Sequence, residues 1–192
     1  MTKPSRKPTV TVDLPGGQSR AREAILYVAK RCEGARHFGA VKLNKILWKA
    51  DFDSFVARGV PVTGRQYRRQ KFGPTLYEMI PIQKEMLRDG AIRIENRDLG
   101  DGFIENRTIA LDVPRLRLLG TDDIRYIDSA IEHYWDMTGT ESSDESHGVA
   151  WKTRANGDPM PYETALLSDR APNADQMNRL RGVVRRREMS TQ

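Results

Sequence analysis

The chain has 192 residues, 38% hydrophobic and 30% charged, which suits one globular domain with a well-solvated surface. No apolar run approaches the roughly 18 residues of a membrane-spanning helix, no apolar stretch follows the basic start MTKPSRKPTV as a secretory signal would, and the single cysteine, Cys32, excludes an internal disulfide framework and fits a reducing cytoplasm. The net charge of +6 is unevenly placed: residues 1–20 carry +3, residues 176–192 carry +4, and the body between them is nearly neutral at −1.

Residues 1–17, with three prolines and a Gly-Gly pair, read as a flexible basic arm in which VTVDL has the alternation of an edge strand. A helical domain is expected over 18–170. Ala21, Ala24, Ile25, Val28, Ala29 and Cys32 recur at helical spacing and stop before Gly34, which places Cys32 on a buried face as a small core residue. A second helix, about 40–58, carries Leu43, Ile46, Leu47, Ala50 and Ser54 on one stripe, with Trp48, Phe52 and Phe55 widening the apolar surface. Such breadth belongs to a helix at the centre of a domain. Lys42, Lys45, Lys49 and Asp53 form an opposite, polar stripe, read as solvated. Gly59 ends the helix and Pro61 follows it.

GRQYRRQKFGP is expected to be extended, with Pro74 opening the first turn of a third helix and Pro81 bending it. AIRIENRDLGDGFIENRTIAL reads as a β-hairpin around LGDG. Thr121, with Asp122 and Asp123, is the expected start of a fourth helix that presents Ile124, Ile127, Ile131 and Tyr134 and ends at Gly139. Ser142 and Glu145 have capping-box spacing for a short helix stopped by Gly148. TRANGDPMPYE is a loop by composition. Residues 171–192 form a basic tail or helix, weakened by Gly182.

Catalytic and cofactor motifs are missing. His37, His133 and His147 lack metal-ligand spacing with one another or with Cys32, so no metal or other cofactor is expected. Neither a phosphate-cradling glycine loop nor a G-x-S-x-G elbow occurs. The pattern therefore points to a binding protein, not an enzyme. A DNA-binding regulator that uses the basic arm and tail is the second reading. It is set behind the first because the helix at 75–89 carries a net negative charge where a groove-reading helix needs the opposite.

Three segments resemble one family. VKLNKILWKAD (41–51) resembles the Lys-Leu-x-Lys-Leu-Leu-Tyr-x-Ala signature of the Panacea, or SocA-like, antitoxin domain. RRQKFGPTLYEM (68–79) is similar to its aromatic-Gly-Pro turn with a following tyrosine, and SSDESHGVAW (142–151) to its serine-rich helix start with a His and a Trp. Trp48 stands where the family usually has tyrosine, as does Phe72, and His147 lies one residue nearer the tryptophan than the pattern has it. The resemblance implies a mainly helical domain with a small β-hairpin (α+β), from bacteria or their phages. It also implies an antitoxin that neutralises a protein toxin, encoded by the adjacent gene, through direct contact.

On that reading the candidate partner-binding residues are Lys42, Lys45, Trp48, Lys49, Arg68, Arg69, Lys71 and Phe72. Gly73, Pro74, His147 and Trp151 are structural parts of the motif. Trp48, on the flank of its helix, suits core and interface equally.

Overall fold

The computed structural model describes residues 12–100 and 102–167, together with 174, 175, 177, 178, 181 and 182. Most of the basic arm and of the C-terminal segment therefore lies outside the described residues. Val12–Leu14 have no strand structure, although the Val12 N–H donates to Gly64 O at 3.0 Å.

The molecule is built around one helix. α2 (Ala40–Arg58) is covered by α1 (Gly17–Arg31), by α4 (Thr121–Tyr134) and by α5 (Gly139–Glu145). A three-stranded antiparallel sheet, ordered β2-β1-β5, lies along another side of it. Its strands are β1 (Tyr67–Gln70), β2 (Gly73–Leu76) and the two-residue β5 (Pro159–Met160). A 3-10 turn over Tyr162–Leu166 closes the end of the core. α3 (Met79–Arg88) packs on α1 and on the hairpin of β3 (Ile92–Asp98) with β4 (Ile104–Ala110), in register from Ile92 opposite Ala110 to Asp98 opposite Ile104. α6 (Val149–Lys152) is a single turn begun by Gly148. The expected α+β architecture, mainly helical with a small β-hairpin, is the one found.

The core follows from the apolar stripes. Ile25 and Val28 of α1, Leu43, Ile46 and Leu47 of α2, and Ile127, Ile131 and Tyr134 of α4 are all buried, as is Cys32. An aromatic group of Phe52, Phe55, Tyr67 and Tyr162, with centroids 5.2–6.4 Å apart, joins α2 to β1 and the 3-10 turn. Arg107 of β4, fully buried, donates to the carbonyls of Cys32, Glu33 and Ala35, where α1 ends.

Several local expectations need correction. Pro74 lies in strand β2, not in a helix. α3 begins at Met79, so Pro81 falls in the first turn, where no N–H has an intrahelical acceptor. The first such bond is Ile82 N–H to Glu78 O at 3.0 Å, and proline causes no bend there. The cap of α4 is Gly120, one residue before the expected Thr121, and Asp123 accepts from the Gly120 N–H at 3.0 Å. The capping box of α5 is Thr138 with Glu141, because Ser142 instead turns its hydroxyl inward to Thr138 O at 2.7 Å. Gly139 accordingly opens α5 and does not close α4.

Candidate interaction face

The site begins with the turn between β1 and β2. Arg69 pairs with Pro74 and Gln70 with Gly73, so Lys71 and Phe72 form a tight tip, both exposed, with Phe72 58% accessible. Gly73 has φ of +90°, a conformation that L side chains rarely adopt. A Cβ there would also collide with Ser146 Oγ and would lie 2.7 Å from Lys45 Nζ. Glycine is thus required twice over, for its backbone angle and for close approach.

β2 is an edge strand, and α2 covers its open edge. Leu76 N–H donates to Asn44 Oδ1 at 3.2 Å, and Pro74 O accepts from Lys45 Nζ at 2.8 Å. Pro74 itself has no N–H to leave unpaired on that side. An edge whose polar groups are satisfied by helix side chains offers no template for strand addition.

Two of the expected surface lysines are therefore interior. Lys42 and Lys45 are each about 1% exposed. Lys42 donates to Trp135 O at 3.1 Å. Burial holds its ammonium below the usual lysine range, and lowers that of Lys45 to about 7. The polar stripe read as solvated faces β2 on one side and the α4–α5 junction on the other. Long lysine stems pack along the core while each head finds a backbone carbonyl.

The remaining candidates lie on both faces of the β1–β2 hairpin, at its tip and beside it. On the Tyr67 side of β1, the guanidinium of Arg69 lies 3.9 Å over the Trp151 ring, and Trp151 stacks on His147 at 3.7 Å with 16° between planes. Trp151 Nε1–H donates to Gln70 O at 2.9 Å, which fixes α6 to the hairpin. His147 is held below the usual histidine range by burial and then by Lys45, which favours the neutral ring in its stack on Trp151. On the opposite face of β1, the Arg68 guanidinium lies 3.4 Å over Tyr77, itself 51% exposed. Tyr77 and Lys152 are additions to the site. Tyr77 is carried by the motif tyrosine, whereas Lys152 has no sequence signal beyond its charge.

Beyond Trp151 the surface continues into a cleft of ≈ 200 Å³ between α2, α5–α6 and the 3-10 turn. Trp48, Phe52 and Trp151 line it, with Lys49, Asp53 and Glu145 also around it. Lys49 pairs with Asp53 at 3.0 Å. Trp48 is half-buried against Phe52, its centroid 5.6 Å away. Its Nε1 is buried without a hydrogen-bond partner among the described residues. Trp48 thus belongs to both core and cleft.

Other titratable groups are structural. Cys32 is buried and its thiol is pushed up to about 12, chiefly by burial. Asp51, fully buried, accepts from Thr63 N–H and Thr63 Oγ1 at 2.5 Å and from Tyr67 OH at 2.7 Å. Burial raises its carboxyl to about 6. No group of three or more His, Cys, Asp or Glu side chains suited to a metal ion occurs among the described residues, and none of their helices is long and apolar enough to cross a membrane.

These elements bring all three motif segments to one face: the α2 signature beside the cleft, the Phe-Gly-Pro turn at the tip, and His147 with Trp151 between them. A family model described as antitoxin SocA-like, Panacea domain, matches residues 43–152, more than half of the chain. The chain belongs to the Panacea family. No curated protein and no solved structure shows a significant match. Membership in a family of SocA-like antitoxins supports a role related to toxin–antitoxin pairs, with a toxin as the general kind of partner. Within this Panacea domain the matched span opens at Leu43 and closes at Lys152, so it takes in the hairpin, Trp48, His147 and Trp151, while the 3-10 turn that bounds the cleft lies outside it.

Proposed function

We propose that this Panacea protein is an antitoxin that neutralises a cognate protein toxin by direct contact, acting in the cytoplasm of a bacterium or from its prophage. The observation that carries the reading is the family match over 43–152, together with the convergence of the three matched motifs on the face around Trp151. The residues assigned to partner contact are Arg68, Arg69, Lys71 and Phe72 of the hairpin, and Trp48 and Lys49 beside the cleft. Lys42 and Lys45 act indirectly, by fixing α2 to the α4–α5 junction and to β2. Function by binding needs no reacting group, and the perturbed acids and bases here (Asp51, Lys42, Lys45, Cys32) are buried packing elements and not a cleft-facing set.

The test is expression of the product of the adjacent gene, alone and together with this protein, with growth as the readout. Growth arrest relieved by co-expression is the expected result. A neighbour that arrests growth equally in the presence of this protein contradicts the proposal.

A further inference from the structure

Elsewhere on the molecule many arginines have carboxylate partners, although Arg36, Arg115, Arg117 and Arg154 have none among the described residues. Arg20, Arg58, Arg65, Arg93 and Arg107 each lie against a carboxylate. The hairpin cations are clustered in one turn and share that lack. Arg68, Arg69, Lys71 and Lys152 have no carboxylate within ion-pair distance among the described residues. The guanidinium carbons of Arg68 and Arg69 instead lie 3.4 and 3.9 Å from the ring centroids of Tyr77 and Trp151. Arg69 Nη1 donates to Asn156 Oδ1 at 3.3 Å, and the buried Nε atoms of both arginines have no hydrogen-bond partner among the described residues.

A guanidinium stacked on a ring is fixed in its plane, with its remaining N–H groups directed out along the edge. That is the geometry that accepts a carboxylate through two parallel hydrogen bonds. Preorganisation by stacking also removes most of the side-chain entropy that weakens ordinary surface ion pairs.

We propose that the hairpin tip takes a short acidic segment of the protein partner, with Asp or Glu carboxylates seated on Arg68 and Lys71 beside the exposed Phe72. The inference rests on the antitoxin reading for the identity of the partner. A nucleic acid fits less well. Its continuous phosphate backbone, leaving the hairpin along Trp151, would meet Asp53 and Glu145 at the cleft.

The experiment uses the full chain and two charge-matched variants. Arg68→Glu with Lys71→Glu reverses the face, and Lys84→Glu with Arg88→Glu makes the same change in net charge on exposed α3. Folding is verified by thermal melting, and Arg68→Gln with Lys71→Gln substitutes if the first pair does not fold. Binding of a labelled hexa-glutamate peptide is read by anisotropy, against a short DNA duplex at the same salt, and each variant is also scored for growth rescue.

The expected result is a loss of about tenfold or more in peptide affinity for the hairpin variant, with the α3 variant close to wild type, and loss of rescue confined to the hairpin variant. Equal weakening in both variants overturns the inference, since the face would then be no more than part of the general field. Tighter binding of the duplex than of the peptide, lost in the hairpin variant, overturns it in favour of nucleic acid. Full rescue by the folded hairpin variant overturns it while leaving the antitoxin reading intact. Failure of the wild type to rescue, with peptide binding still lost in the hairpin variant, removes the antitoxin reading and upholds the acidic-segment face.

Discussion

Lys45 shows most clearly how a single side chain ties the motif to the fold. Its ammonium is buried against Pro74 O and titrates near 7, below the 10.5 of an exposed lysine, because burial penalises the charge. Between those two values the unfolded chain holds the proton and the folded chain has released it. Stability therefore climbs as pH rises from about 7 towards about 10, and below about 7 the folded state bears the full cost of the buried charge. Lys45→Met should abolish this slope. Urea melts of both proteins at about pH 7 and about pH 9 should show wild type gaining on the variant with pH, and parallel curves would contradict the account. The burial was not legible in the sequence. Lys42, Lys45, Lys49 and Asp53 share a helical stripe, and periodicity cannot tell a solvated stripe from one roofed by a strand whose carbonyls happen to lie within reach. Only Lys49 and Asp53 remain near the surface, and they pair with each other.

At the scale of elements, the edge of β2 explains why glycine and proline stand together after Phe72. Pro74 O and Leu76 N–H face α2, and an N–H restored at position 74 would point the same way, toward the Lys45 ammonium and no acceptor. Pro74→Ala should thus cost about 1–3 kcal/mol, the penalty for a buried unpaired donor. This runs opposite to the usual gain on removing proline from a strand. A denaturant midpoint unchanged from wild type would refute it. The bounds of α2, Ala40–Arg58, were readable because its apolar residues run unbroken to Gly59, which takes the left-handed conformation of a helix stop. The β3–β4 hairpin was readable for a similar reason, from alternation on both sides of a glycine-rich turn. The starts of α3 and α5 were misplaced because their signals recur. Two prolines, 74 and 81, suit a first turn, and both Thr138-x-x-Glu141 and Ser142-x-x-Glu145 fit a capping box. Tertiary packing decides between them, since Ser142 and Ser146 are buried and spend their hydroxyls on helix carbonyls.

At the scale of the whole molecule, α2 acts as a central post that separates two kinds of surface. Toward α1, α3 and the β3–β4 hairpin the arginines Arg22, Arg93 and Arg97 are paired with acids. Toward β1–β2, Arg68, Arg69 and Lys71 lie over aromatic rings with no carboxylate partner among the described residues, beside a cleft where Trp48 Nε1 likewise has no hydrogen-bond partner among them. Basic residues at 68, 69 and 71 were evident as a run. Their stacking partners were not, since Trp151 lies more than eighty residues away in sequence. The central claim is that this face makes the protein an inhibitor by occupancy. The most direct measurement is size-exclusion chromatography of the purified protein with the purified product of the adjacent gene, with the toxin's activity assayed across a titration. The account predicts co-elution as one complex and loss of toxin activity in proportion to the fraction bound. Separate elution, or a toxin that stays fully active within the complex, would contradict it.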